Sequence, residues 1–271
     1  MAGVMTAVAR DASLPLEQHV LRCSAALDVH GHLVVLVPPD ASDPARRRLH
    51  TVRSVLAADR MALIPVGLPP LATALLAEQL RQLSATDLGP GVLAGAAPLL
   101  AHYFYAGALL GSVARLDRVN VSVGSHLKSL IPGRQFAVAA TPEPRVVEAT
   151  ERDVLPGPAY PTHLTVAASG SFDTSWIHGP LARAWRPQHV RDVAAPEDCA
   201  HWWGTSRVAE FTAHIADPGV LYQLVTSVRR TSCRWCALEI IGDRCLFCST
   251  RVENQAVRPD VRTDEPMDRR R

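Results

Sequence analysis

Of the six cysteines in the chain, Cys233, Cys236, Cys245 and Cys248 fall within sixteen residues, in the stretch TSCRWCALEIIGDRCLFCST, spaced C-x2-C-x8-C-x2-C. Thiolates suit soft and borderline metals, and two CxxC turns can each present two sulfurs from one knuckle to a tetrahedral ion. The eight residues between the knuckles, ALEIIGDR, are enough for a strand, a turn and a return, bringing the second knuckle beside the first. The spacing therefore predicts one metal site with four protein ligands. Four thiolates leave no position open for substrate or an activated water, so the expected role is structural and no catalytic residue is assigned.

These residues resemble the short bacterial zinc-ribbon modules, whose knuckles usually read C-P-x-C-G and C-x-x-C-G around a brief hairpin. The resemblance spans Cys233 to Cys248 and implies zinc held by Cys233, Cys236, Cys245 and Cys248. Rubredoxin-like iron sites use the same ligand set, so iron stands as the alternative. Arg234 occupies the place of the knuckle proline, and Ala237 and Ser249 stand where glycines usually follow. Glycine enters positive φ freely and lets backbone amides face the sulfurs; here alanine and serine must make that turn.

The knuckle side chains Arg234, Trp235, Leu246 and Phe247 form the expected interaction surface. From Arg229 to Arg251 five arginines meet two acids, Glu239 and Asp243. Trp235 and Phe247 could stack on bases, which keeps nucleic acid as an alternative to a protein partner. The simpler role for both aromatics is to cover the small ribbon core.

Other chemistry-bearing residues are scattered. Lys128 is the sole lysine among 28 basic residues and has His126 two positions away, so an amine-dependent pocket in an α/β body is a third reading. GSHLKS lacks the glycine and length of a phosphate-binding loop. Cys199 and His201 in EDCAHWWGTS have the i, i+2 spacing that shares a face on a strand but separates around a helix. Cys23 reads as a small buried hydrophobe. Asp173, His178 and nearby serines have no G-x-S-x-G elbow to organise them.

The elements that must position these residues are partly visible. HLVVLVPP (32–39) and RMALIPVG read as strands. SDPARRRLHTVRSVLAAD reads as a helix with Ser42 or Asp43 as N-cap and Pro44 in its first turn. PPLATALLAEQLRQLS is a second amphipathic helix. Leu88–Ala114 contains 27 residues without an acid, lysine or arginine and carries the small pairs Gly91/Gly95 and Gly107/Gly111. Pro98, His102, Tyr103 and Tyr105 at its centre argue against a membrane span and for a buried helix beginning near Pro98. RVNVSV, RQFAVAA, PRVVEAT and THLTVAAS follow as strand-like pieces, and RVAEFTAHI and the helix PGVLYQLVTSVRR come before the cysteines.

Taken together the chain is expected to be an α/β or α+β mixed globular body with a small C-terminal zinc ribbon. The expected divisions are an N-terminal segment (1–28), an α/β lobe (29–155), a Pro-rich linker (156–161), a second α+β lobe (162–230), the ribbon (231–251) and a disordered tail (252–271). A formal charge of +2 supplies no global field toward nucleic acid or an anionic membrane. The arginine surplus follows the codon bias of a GC-rich, bacterial genome. MAGVMTAVARDASLPLEQH lacks a secretory pattern, and paired CxxC cysteines suit a reducing compartment, so a cytoplasmic protein is expected. The function expected on this reading is that of a non-enzymatic protein-protein interaction or assembly module.

Overall fold

The computed structural model describes residues 3–6, 15–39, 41–56, 58–117 and 134–252. His126, Lys128, the strand expected at RVNVSV and the tail from residue 253 lie outside them.

The N-terminal lobe is a three-layer sandwich. Strands β1 (Gly3–Thr6), β2 (Leu33–Val37) and β3 (Met61–Pro65) form a parallel sheet in that order. Helices α1 (Leu16–His30) and α2 (Asp43–Val55) cover one face through Cys23, Leu27 and Val52. Helices α3 (Pro70–Ser84) and α4 (Pro90–Ala101) cover the other. All five residues of β2 are buried, because a parallel strand covered on both faces must be apolar throughout, which is why LVVLV does not alternate. Ser42 caps α2, its hydroxyl accepting from the Ala45 N–H at 3.3 Å, with Pro44 in the first turn as its fixed φ favours.

The second lobe is one six-stranded sheet in the order β6-β5-β4-β9-β7-β8. Its strands are β4 (Tyr105–Leu110), β5 (Phe136–Thr141), β6 (Arg145–Glu148), β7 (His163–Ala168), β8 (His189–Ala194) and β9 (Val208–His214). Every pairing is antiparallel except β7/β8, which are connected through a π-helical turn (Ile177–Leu181) and the short helix α5 (Ala182–Trp185). Trp176, Leu181 and Trp185 pack with Phe211 on one face of the sheet. On the other lie α6 (Cys199–Trp202), Trp203 and, joining the two lobes, α3. Helix α3 is thus squeezed between two sheets, and nine of its fifteen residues are buried, among them Thr73 and Gln79.

The mixed α/β body agrees with the sequence, while three boundaries are corrected. The apolar run 88–114 is not one helix from Pro98: it divides into α4, which starts at Pro90 and contains Pro98, and strand β4. Among the described residues no helix is long and apolar enough to cross a membrane. Residues 156–161 are not an interdomain linker, because they connect β6 to β7 within one sheet. They are pinned there: the Trp185 indole donates to the Leu155 carbonyl at 2.9 Å, and a Cβ on Gly157 would fall 2.9 Å from Trp185 Cγ. The segment 1–28 contributes β1 and most of α1 to the first sandwich.

After β9 the chain forms α7 (Pro218–Ser227), capped by Asp217, whose carboxylate accepts from the Gly219 N–H at 2.7 Å. It then enters β10 (Arg230–Ser232) and β11 (Glu239–Ile241).

Candidate functional sites

The hairpin around the cysteines differs from the expected one. Strand β11 pairs antiparallel with β10, Ser232 opposite Glu239, so the first knuckle is itself the turn of a hairpin. Arg244 bridges to Arg251 across the second knuckle in the same way. The two knuckles repeat one bonding pattern. The Cys233 N–H donates to the Leu238 carbonyl (2.8 Å) and the Ala237 N–H to the Cys233 carbonyl (3.0 Å). The Cys245 N–H donates to the Thr250 carbonyl (2.9 Å) and the Ser249 N–H to the Cys245 carbonyl (2.9 Å). Ala237 (φ 57°) and Ser249 (φ 64°) hold the left-handed turn where ribbons usually place glycine.

All four sulfurs lie within 4.8 Å of one another, Cys233 to Cys248 at 3.5 Å and Cys236 to Cys245 at 3.6 Å. A tetrahedral ion with metal–sulfur bonds of about 2.3 Å needs sulfurs about 3.8 Å apart, so the donor set fits zinc or iron with little adjustment. Burial pushes the Cys236 thiol up to about 12 and raises Cys245. At Cys248 burial is outweighed by hydrogen bonding with the Thr250 hydroxyl and backbone, which brings it down to about 6.

Of the four residues expected to form an interaction surface, Trp235 is 79% exposed and Arg234 is exposed, while Leu246 is half-buried. Phe247 is fully buried, edge-on to the His32 ring with centroids 5.4 Å apart, and its carbonyl accepts from the Arg53 guanidinium. Cys233, Ile240 and Cys245 belong to the core that α3 and α4 form. The hairpin is set close on α4: a Cβ on Gly91 would overlap the Glu239 carbonyl, and one on Gly95 would fall 2.9 Å from Ile241 Cβ. The pair read as a helix-packing motif therefore makes room for β11. Arg230 is spent on Glu239, at 3.2 Å.

The second feature is a buried polar row along β9, formed by Glu210, Thr212 and His214. The period-2 pattern of RVAEFTAHI places them on the face toward α3. One oxygen of Glu210 accepts from the Leu71 N–H in the first turn of α3 (2.8 Å), and the other from the Trp203 indole (2.5 Å). Burial pushes this carboxyl up to about 7 despite both bonds. Cys199 lies beside it, its thiol raised by burial and then by the charge of Glu210. His201 is exposed on the same short helix, so Cys199 and His201 do not form a nucleophile and base.

At the end of this row a cavity of about 490 Å³ opens between the second half of α3 and the sheet. Leu75, Ile215 and Ala216 give it apolar wall, and Gln79 is anchored at its edge by donating to the Ile215 carbonyl at 2.7 Å. His163 begins β7, His189 begins β8 directly opposite, and His214 ends β9 on the other side of His163. Arg191, two residues along β8, shares their face.

Hydrogen bonding fixes the donors here. Arginine only donates, so Arg191 Nε gives to Thr165 Oγ1 (3.1 Å). The Thr165 hydroxyl then donates to His214 Nε2 (3.3 Å), and His214 Nδ1 donates to the Ile215 carbonyl (3.3 Å). Burial lowers His214 to about 4, and burial followed by the charges of His189 and Arg191 lowers His163. The rim acid Glu78 is paired with Arg81, so the Arg191 charge is not neutralised by it. Three same-face histidines at strand ends, in THLTVAAS, HVRDVA and RVAEFTAHI, were the signal in the sequence for this cavity.

The fold of this chain is similar to that of solved DegV family proteins. The structure is similar to that of a fatty-acid-binding DegV family protein from Thermus thermophilus, with a TM-score of 0.55 and 12% identity over 74% of this chain and 77% of that one. It is similar to a DegV family protein from Corynebacterium glutamicum, with a TM-score of 0.54 and 9% identity over 75% and 82% of the two chains. A third similar structure is the Streptococcus pneumoniae fatty acid kinase (Fak) B3 protein loaded with linoleic acid, with a TM-score of 0.50 and 10% identity over 76% and 85%. No family model matches the sequence, and no curated protein matches it.

These findings overturn the expected function. The cysteine hairpin is not an assembly module hung on an anonymous body, because its aromatic anchor is sunk in the first lobe and the fold of the body is similar to that of solved DegV family proteins, one of them described as binding fatty acid. The nucleic-acid alternative falls with it, since Phe247 is inaccessible to bases and two of the similar structures are described as binding or loaded with a fatty acid. The pocket expected near His126 and Lys128 lies outside the described residues, and the cavity described is formed by other side chains.

Proposed function

We propose that this protein binds a long-chain fatty acid at the junction of its two lobes. The observation that carries the reading is the cavity between α3 and the end of the six-stranded sheet, with Leu75, Ile215 and Ala216 offering apolar wall beside a cationic side chain. Its volume of about 490 Å³ lies in the range of small-molecule sites. Three structures of the same fold are described as holding or binding fatty acids, which supports the ligand class. One of them is named for a fatty acid kinase, so an acyl-handling enzyme is the class of protein partner this reading implies. No chemical step is assigned to the chain itself.

Zinc in the four-cysteine site belongs to the same proposal. Cys233, Cys236, Cys245 and Cys248 would hold it, and the ion would supply a cross-link between the two knuckles. The test of the ligand reading is direct. Protein purified from cells should release fatty acid on solvent extraction, and lipid-free protein should take up oleate in calorimetric titration. Failure to bind saturated and unsaturated C16–C18 acids at micromolar concentrations would refute it.

A further inference from the structure

Helix N-termini between lobes are ready anion sites, since their first N–H groups lack partners and carry positive partial charge. The start of α3 is such a place, facing the sheet. In this chain it is already taken: Glu210 Oε2 holds the Leu71 N–H at 2.8 Å, and the side chain is wholly buried. Its other oxygen is held by the Trp203 indole at 2.5 Å, with Cys199 beside the carboxyl. A ligand carboxylate arriving there would meet a like charge when Glu210 is ionised. When Glu210 is protonated, its oxygens still fill the donors.

The opposite end of β9 has the reverse character. Arg191 is oriented by its Nε bond to Thr165, and that bond leaves the terminal guanidinium nitrogens to other partners. His163 and His189 stand beside it with ring centroids 5.6 Å apart, and His163 is 6.5 Å from His214. The nearest rim acid, Glu78, is engaged by Arg81. Three imidazoles this close could also suggest a transition metal, but an adjoining guanidinium repels a cation and attracts an anion.

Resting on the fatty-acid reading, we infer that the ligand's carboxylate is held at the β7–β8 end of the sheet by Arg191, flanked by His163 and His189, and that the start of α3 is closed to it by Glu210. The acyl chain then runs over Leu75, Ile215 and Ala216.

Oleate and oleyl alcohol, which share a chain but differ in charge, separate the two halves of this statement. With the full-length protein, Arg191→Met should weaken oleate binding by roughly tenfold to a hundredfold, the worth of one charge-assisted contact, and leave the alcohol unchanged. Arg191 is exposed, so an unchanged melting temperature serves as the folding control. Glu210→Gln should leave oleate affinity unaltered. Wild-type oleate affinity in Arg191→Met, or a tenfold gain in Glu210→Gln, would overturn the placement while the fatty-acid reading survives. Binding of neither lipid by the wild type would overturn both.

Discussion

Substitution of Gly91 by alanine sets two well-measured effects against each other. In an ordinary helix the change stabilises by about 1 kcal/mol, because alanine has less backbone freedom to lose. Gly91 sits in α4 under the hairpin, however, where the new methyl would overlap the Glu239 carbonyl and lie 2.9 Å from Ile240 Cγ2. Neither neighbour is the free end of a flexible side chain: one is backbone of β11, and the other is a methyl of the buried Ile240. Relief therefore requires β11 to lift from α4, taking Cys233, Cys245 and Phe247 partly out of the core. Overpacking costs about 1–3 kcal/mol or more, and overlap with a main-chain oxygen belongs at the upper end. The expected result is a net loss of about 2 kcal/mol, read as a lower urea midpoint at unchanged slope. A chelator should also withdraw zinc faster from the variant. A Gly91→Ala protein as stable as wild type, or more so, would refute the packing of the hairpin on α4.

Further outcomes follow from the same geometry. Ala237→Gly and Ser249→Gly should each stabilise the metal-loaded protein by about 0.5–1 kcal/mol, since a left-handed non-glycine residue costs about 1–2 kcal/mol and glycine returns part of that in entropy; thermal unfolding measures it. Metal analysis should find about one zinc per chain, and Cys245→Ser should abolish it and lower the melting temperature. Glu210 and His214 should oppose each other in pH dependence. A carboxyl raised to about 7 binds its proton more tightly in the folded state, so its contribution is lost as pH rises from about 4.5 to 7. A histidine lowered to about 4 resists protonation when folded, so its contribution is lost as pH falls from about 6.5 to 4. Each is worth about 3 kcal/mol at full extent, and they largely cancel in the wild type. Glu210→Gln should therefore steepen acid destabilisation, while His214→Asn should yield a protein that weakens from about pH 4.5 to 7; parallel profiles for all three would refute the assignment.

The sequence declared what depends on neighbours along the chain. Ser42, Pro44 and the run LVVLV specify a cap, a helix start and a doubly covered strand by local chemistry alone, and the structure contains them at those positions. The four cysteines converge as their spacing implied. What stayed hidden was long-range. Strands β4 and β9 are neighbours although about a hundred residues separate them, and nothing local in YAGALL names its partner. Pro156, Pro158 and Pro161 carry the same signal in a free linker as in a loop clamped by Trp185. Phe247 looks like a surface aromatic in CLFC until His32 and Arg53 are seen against it. The cavity was half-legible: THLTVAAS reads as a strand, but HVRDVA does not stand out as one, and the convergence of their histidines with His214 depends on a register that the sequence did not reveal.

The seat of the hairpin on α4 also sets a timetable for synthesis. The face of α4 that carries Gly91 and Gly95 is completed by Glu239–Ile241, nearly 150 residues downstream. At about 5–20 residues per second a ribosome needs on the order of ten seconds to deliver that cover. Throughout this interval an early helix waits with an unfilled groove for the segment that covers it. A nonsense codon or proteolytic cut before residue 239 is therefore a lesion of the first lobe, although it removes only distal sequence.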